Sequence, residues 1–241
     1  MPMKYGTIEG MDKSISRILQ GTMMLHEDDL ESGFALLDGV WELGVNGFDC
    51  AHNYGGGQSE RVLGQWLDAR GLHEKAVILT KGAHHTRDKK RVNPIDISMD
   101  LAISLERCRT KFIDVYVLHR DNPAVEVGPI VEILNEHKAA GLIGLFGGSN
   151  WTVPRIQEAN EYAYKHNLAP FTVSSPNYSL AEQVKEPWAG CVSISGPQNE
   201  SDRAWYSEQN MPLFTWSSLA QGFLSGKFTR ETFEDYKENL P

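Results

Sequence analysis

Four side chains with acid–base chemistry follow short apolar runs of this sequence. Asp49 ends one run and Tyr54 comes five residues later, whereas Lys81 and His119 each directly follow another run. A tyrosine with a pKa of about 10 is a poor acid or base at neutral pH, but a nearby ammonium group stabilises its phenolate. Lys81 would supply that charge, Asp49 would hold Lys81, and His119 would bind the substrate oxygen or relay a proton. This set suits proton transfer to a carbonyl oxygen.

Polar or aromatic side chains also follow the later apolar runs. They are Ser149 with Asn150, Ser175, and Trp216 with Ser217. Each position alone is weak evidence, because polar residues are common in loops. In an α/β barrel, however, the carboxyl ends of all strands share the face that holds the active site. The recurrence therefore predicts a single site at that face.

The elements that must position these residues alternate along the chain. The predicted strands are short, consecutive apolar runs typical of parallel strands buried on both faces. They are Ile18–Gly21, Gly47–Asp49, Ala76–Thr80, Ile113–Leu118, Ile143–Phe146, Phe171–Ser174 and Leu213–Trp216. Helix signals lie between them: N-caps are predicted at Ser59, Asn93 (before Pro94) and Thr152, and Gly44 is predicted to end the first helix.

Repeated βα units predict a parallel sheet with helical cover, either an open doubly wound sheet or a closed barrel. A single domain over residues 1–241 is expected, because the length suits an α/β barrel and no linker divides the chain. Seven strands are counted, so an eighth βα unit is predicted to be missing. The Gly- and Pro-containing stretch Ala181–Glu200 is predicted to be a long loop acting as a lid.

Composition excludes several classes of function. The formal net charge is −9, which argues against nucleic-acid binding. No run of about 18 apolar residues is present, so no membrane span is predicted. Three cysteines without a Cys-x-x-Cys pair favour a reducing, cytoplasmic location. The neighbours His84 and His85 lack the further ligands of a metal site, so no metal is expected.

Six segments carry a family resemblance. They are Gly47–Gly55 with the pattern Asp-x-Ala-x-x-Tyr-Gly, Leu79–Lys81, Asp114–His119, Gly147–Asn150, Pro176–Leu180 and Trp216–Gly222. Their order and spacing, from about Ile18 to Phe228, resemble those of the aldo/keto reductases. The resemblance implies a (β/α)8 barrel of TIM type that uses a nicotinamide cofactor, usually NADP, without a Rossmann domain. No Gly-x-Gly-x-x-Gly motif follows a predicted strand here.

The resemblance also implies roles for individual residues. Tyr54 would be the general acid, Lys81 and Asp49 would lower its pKa, and His119 would orient the carbonyl of a small-molecule substrate. The implied cofactor contacts are Gly21, Thr22, Asp49, Ser149, Asn150, Ser175, Trp216, Ser217, Leu219 and Gln221. Ser175 stands where the family often has glutamine, and Trp216 replaces the usual tyrosine while keeping a stacking face.

Three functions stay open at this point. The first is an NADP-linked reductase of aldehydes or ketones, with NAD as an alternative because the segment that normally binds the 2′-phosphate is missing. The second is a non-catalytic, cofactor-binding regulatory subunit, as some family members are. The third is a truncated chain with impaired cofactor binding. The presence of all four catalytic residue types favours the enzyme.

Overall fold

The protein is described by a computed structural model that covers residues 2–236. Met1 and residues 237–241, the two ends of the predicted domain, lie outside the described residues. The chain begins with an antiparallel hairpin of β1 (Tyr5–Gly6) and β2 (Ile15–Ser16). Six parallel strands follow in sequence order: β3 (Gln20–Gly21), β4 (Gly47–Asp49), β5 (Val77–Gly82), β6 (Ile113–Leu118), β7 (Ile143–Ser149) and β8 (Val173–Ser175).

Helices connect and cover the parallel strands. They are α1 (Leu30–Glu42), α2 (Gln58–Arg70), α3 (Pro94–Arg107), α4 (Val127–Ala139), α5 (Val153–Lys165), α6 (Glu200–Glu208) and α7 (Phe233–Tyr236). One α-helix lies between each pair of consecutive strands from β3 to β8, which is the βα repeat predicted from the sequence. The sheet curls into a partial barrel, so the predicted fold class is confirmed. No helix in residues 2–236 is long and apolar enough to cross a membrane.

Alternation along the strands divides the core into two apolar layers. On β5, Val77 and Leu79 face the inside of the barrel, while Ile78 faces the helices. The inner layer also contains Ile15 of the hairpin and Phe214, both buried. The hairpin was not predicted, and it adds apolar side chains to the inner layer of the barrel.

The predicted seventh strand, Leu213–Trp216, is not a continuous strand. Leu213 and Trp216 pair with Ser174 and Asn177 through single bridges, and the Phe214 amide donates to the Ser174 carbonyl at 2.9 Å. This segment therefore runs beside β8 without a full ladder. Within residues 2–236 no further strand pairs with its outer side.

Most predicted helix ends are confirmed. The Asn93 side chain accepts a hydrogen bond from the Asp96 amide at 3.1 Å, and Gly44 follows α1 with a φ of 91°. Thr152 occupies the N-cap of α5 without a side-chain cap bond. Ser59 was wrong as an N-cap, because Gly57 holds that position and the Ser59 hydroxyl is buried.

Replacement of Gly147 by alanine is expected to destabilise the barrel. A Cβ at Gly147 in β7 would lie 1.8 Å from the Val173 carbonyl oxygen of the neighbouring strand. Relief of this clash requires the two paired strands to move apart, which strains their hydrogen bonds. Overpacking of this kind costs about 1–3 kcal/mol. Urea unfolding of Gly147→Ala should show that loss.

Gly39→Ala is the matched control for this substitution. Nothing lies within 4 Å of its added Cβ on α1, so a gain of up to about 1 kcal/mol is expected. Equal unfolding free energies for the two variants would contradict the strand packing described above.

Candidate active site

Strand alternation carries the sequence-predicted residues to one place. In β5, Lys81 follows Val77 and Leu79 on the inward-facing side, at the carboxyl end of the strand. The His119 amide donates to the Gly82 carbonyl at 2.7 Å, which continues the pairing of β6 with β5. The carboxyl ends of the parallel strands form one mouth of the barrel. The same alternation places four further residues at this mouth: Asp49, His119, Ser149 and Ser175.

Lys81 joins the phenol and the carboxylate at this mouth. Its side chain is buried and its Nζ contacts the Asp49 carboxylate. The same Nζ donates to the Cys50 carbonyl at 2.9 Å and to Tyr54 Oη at 3.2 Å. The structure therefore brings together three of the four predicted catalytic residues by direct hydrogen bonds.

Burial controls the protonation of this group. It raises the pKa of Tyr54 above the ordinary value of 10.0, although the Lys81 ammonium lowers it and the Asp49 carboxylate raises it further. Burial would lower the pKa of Lys81, but attraction to Asp49 and Tyr54 prevails, and that pKa is raised. The net direction for Tyr54 is opposite to the expected lowering, because burial outweighs the ammonium. At neutral pH Tyr54 is a neutral phenol beside a charged Lys81.

His119 completes the predicted set. Its ring lies edge-on to the Tyr54 ring, with 5.7 Å between centroids, and is buried. Burial, followed by the charge of Lys81, lowers the pKa of His119 well below 6.5, so the imidazole is neutral. Its Nδ1 has no hydrogen-bond partner among the described residues. A neutral ring with an unused nitrogen is suited to a polar ligand atom.

Two buried carboxylates that sequence reasoning missed fix the strand that carries Lys81. Glu60 accepts a hydrogen bond from Thr80 Oγ1 at 2.6 Å, and Asp100 accepts one from the Ala83 amide at 2.8 Å. Ala83 directly follows β5 with a left-handed φ of 59°. Both carboxylates are fully buried. The available signal was acidic residues on otherwise apolar helix faces.

The predicted carboxamide-binding residues cluster at the ends of β7 and β8. Ser149 Oγ donates to the Ser175 carbonyl at 2.9 Å, and Asn150 Nδ2 donates to the His119 carbonyl at 3.1 Å. Asn150 Oδ1 accepts the Val192 amide at 3.1 Å. Ser175 Oγ is buried and has no partner among the described residues. The cluster thus fits a polar ligand group, with the Ser175 hydroxyl as its free hydrogen-bonding atom.

Gly21 and Thr22 lie at the end of β3. Thr22 is fully buried, and its amide and hydroxyl donate to the Asp49 carbonyl at 3.0 and 2.9 Å. Its hydroxyl also lies 2.6 Å from Ser59 Oγ. Thr22 therefore anchors β4 and α2, whereas Gly21 is open, with nothing within 4 Å of an added Cβ.

The remaining predicted cofactor residues lie on the turn after Phe214. Ser217 and Gln221 have left-handed φ values of 56° and 54°, and Leu219 is exposed. The Trp216 ring is 5.9 Å from the Trp188 ring. Among the described residues, no hydrogen bond or ring contact joins this turn to the tyrosine, lysine or histidine of the site.

The predicted loop Ala181–Glu200 reaches the site. Its Val192 amide binds Asn150, and its Trp188 meets Trp216. Its last part forms a short 3-10 helix, Pro197–Asn199, that leads into α6. As a lid, the loop should become more resistant to limited proteolysis when NADPH is added. Equal cleavage rates with and without NADPH would count against a lid.

The adjacent histidines contact different partners. His84 packs edge-on against His119, with 4.7 Å between centroids, and its Nδ1 lies 2.8 Å from the His85 carbonyl oxygen. Within residues 2–236 no group of three or more His, Cys, Asp or Glu side chains is placed to hold a metal ion.

Known proteins are similar to this chain in sequence. The model of the aldo/keto reductase family matches residues 17–240. Aldo-keto reductase YhdN of Bacillus subtilis is 27% identical over 241 residues, and a probable voltage-gated potassium channel subunit beta of Oryza sativa subsp. japonica is 27% identical over 235. These matches cover 96% and 95% of this chain and 67% of each relative.

A solved structure shows the same fold. The glycerol dehydrogenase AKR11B4 from Gluconobacter oxydans superposes with a TM-score of 0.78 at 23% identity. The match covers all of this chain and 72% of that one.

Proposed function

The chain belongs to the aldo/keto reductase family, and from this premise we propose that it is an NADP(H)-dependent oxidoreductase that reduces an aldehyde or ketone to an alcohol. The observation that carries the proposal is the contact of Lys81 Nζ with both the Asp49 carboxylate and Tyr54 Oη. It supports an acid–base role for the phenol, because the ammonium stabilises the phenolate left after proton transfer.

The proton in this mechanism comes from Tyr54. A raised pKa keeps the phenol protonated at neutral pH, so Oη donates its proton to the carbonyl oxygen as that oxygen gains negative charge. Lys81 holds the resulting phenolate at hydrogen-bond distance, and Asp49 positions Lys81. Neutral His119 orients the carbonyl through a ring N–H. Asp49 is a positioning residue in this scheme.

The site fits a nicotinamide cofactor. The unpartnered buried hydroxyl of Ser175, beside Ser149 and Asn150, suits the carboxamide, and Trp216 offers a ring face for stacking. When bound, the nicotinamide supplies the hydride that reduces the carbonyl carbon. The further residues proposed to hold the cofactor are Gly21, Thr22, Asp49, Ser217, Leu219 and Gln221. NADP is proposed as the cofactor, and NAD is the alternative.

The test of this function is direct. The purified chain with NADPH and 4-nitrobenzaldehyde should consume both and form 4-nitrobenzyl alcohol in equal amounts. Cofactor binding without any turnover of an aldehyde panel would overturn the proposal.

A non-catalytic regulatory subunit is the second candidate. It is favoured by the relative whose name is a probable voltage-gated potassium channel subunit beta. For such a subunit, NADPH should quench tryptophan fluorescence while no aldehyde is reduced.

The surroundings of the protein are also proposed. The proposed binding partner is a small-molecule carbonyl substrate. Binding to nucleic acid or to a membrane is not proposed, and the net charge of −9 is in keeping with this, because contact with phosphates needs a basic surface. A cytoplasmic location suits the three cysteines, which are free thiols in the structure.

A further inference from the structure

A cavity of about 520 Å³ opens beside the candidate site. It lies between the segment after β6, the start of α5 and the loop after β8, and Asn150 forms part of its wall. Arg120, the residue next to His119, also lines it. The Arg120 guanidinium donates to the His119 carbonyl at 3.3 Å. The cavity therefore adjoins the histidine that would orient a carbonyl.

The cations of this cavity differ in their partners. Arg155 is neutralised by Asp121 at 3.3 Å and Glu158 at 2.7 Å. Glu186 accepts the Gly190 amide at 2.9 Å. Arg120 has no carboxylate of the described residues within ion-pair distance. With Asp121 and Glu158 paired to Arg155, the described lining keeps one guanidinium, Arg120, and one carboxylate, Glu186, outside any ion pair.

One further cation and two histidines lie at this corner of the site. Lys90 extends over the same segment, with Nζ 3.5 Å from Asn122 Oδ1. Burial lowers the pKa of His85, and the charges of Lys90 and Arg120 lower it further. The pKa of His84 is also lowered, mainly by burial. Both histidines are therefore neutral at neutral pH, and the cations at this corner of the site are Lys90 and Arg120.

We propose that the substrate carries an anionic group, a carboxylate or a phosphate, that Arg120 binds while the carbonyl lies at Tyr54 and His119. A guanidinium presents a planar pair of N–H donors that matches both anions. This inference rests on the proposed reductase function and names its substrate class. Arg120 would select substrates and take no part in proton transfer.

Matched substrates test this preference without any variant. The wild-type protein is assayed with 4-formylbenzoate and its methyl ester, and separately with glyceraldehyde 3-phosphate and glyceraldehyde. A charge-assisted hydrogen bond predicts kcat/KM about 10- to 100-fold higher for the anionic member of the preferred pair. The pair that shows the larger ratio distinguishes a carboxylate from a phosphate ligand.

Variants assign the preference to Arg120. In Arg120→Leu the anionic-to-neutral ratio of kcat/KM should fall about 10- to 100-fold, mainly through KM, and Arg120→Lys should restore part of it. Arg87→Leu, which removes an exposed cation outside the cavity, should leave the ratio unchanged.

A binding measurement separates this inference from the proposed function. Benzoate should quench tryptophan fluorescence with a Kd about tenfold lower than that of benzamide, and Arg120→Leu should remove the difference. If no aldehyde is reduced, the proposed function fails while this comparison still tests the anion site. The role of Arg120 would be overturned if the wild-type protein had equal kcat/KM for the anionic and neutral member of each pair. It would also be overturned if Arg87→Leu and Arg120→Leu lowered the anionic-to-neutral ratio equally.

Discussion

Tyr54→Phe is expected to lower the rate of aldehyde reduction by about 10²- to 10⁴-fold, the usual contribution of a general acid. Phenylalanine keeps the ring beside His119 and removes the hydroxyl that Lys81 contacts at 3.2 Å. Binding of NADPH should change little, because the substitution removes the proton donor and leaves the ring in place. Stopped-flow measurement of NADPH oxidation gives the rate, and fluorescence titration gives the affinity.

The matched control for this variant is Tyr164→Phe on α5. Tyr164 is exposed, and its phenol lies outside the site. It should retain the wild-type rate. A Tyr54→Phe protein that reduces 4-nitrobenzaldehyde within twofold of the wild-type rate would show that the proton comes from another group.

Lys81→Met is expected to cost both turnover and stability. Turnover should fall by at least about 10²-fold, because the phenolate of Tyr54 loses the ammonium that stabilises it. The buried position of Lys81 adds a second effect that the sequence does not reveal. Removing one partner of a buried ion pair costs about 3–5 kcal/mol, and the lower end of that range is expected here, because the Asp49 side chain left unpaired is 18% exposed. Urea unfolding and single-turnover kinetics measure the two losses.

A double variant separates these two effects. In Asp49→Asn/Lys81→Met the unpaired carboxylate is gone, so most of the unfolding free energy should return while turnover stays low. Recovery of turnover in the double variant would contradict a role for the ammonium.

The direction in which the rate–pH profile shifts provides an independent test of the role of Lys81. Reduction needs the protonated phenol, so its rate should be flat from pH 6 to 9 and fall as pH rises through the raised pKa of Tyr54. Alcohol oxidation needs the phenolate and should rise over the same alkaline range. Because Lys81 lowers the pKa of Tyr54, the fall in the reduction rate and the rise in the oxidation rate should both move to higher pH in Lys81→Met. A shift to lower pH would contradict this assignment.

The location of the site was predictable from local pattern. Apolar runs predict parallel strands, and side chains that follow them must meet at one end of the sheet. The structure places Asp49, Tyr54, Lys81 and His119 together in this way. Leu213–Trp216 was predicted as a strand because its residue types are right, but it pairs with the segment at and after β8 only through single bridges at Leu213 and Trp216.

Other features depend on contacts between distant segments. The acidic residues Glu60 and Asp100 look like surface charges in the sequence, and they become internal only because α2 and α3 pack on β5. The pKa of Tyr54 was expected to be lowered by Lys81, but its net direction depends on burial by the whole barrel. Ser59 has the residue type of an N-cap and instead hydrogen-bonds to Thr22 across the core.

The most direct test of the central claim follows the hydrogen atoms of the reaction. NADPH carrying deuterium at the transferable C4 position is incubated with the protein and 4-nitrobenzaldehyde, and the alcohol is analysed by mass spectrometry. Hydride transfer at a site where Tyr54 supplies the proton predicts one deuterium on the carbinol carbon, with Tyr54→Phe forming the same product far more slowly. An alcohol without deuterium, or no alcohol from the wild-type protein, would contradict the account.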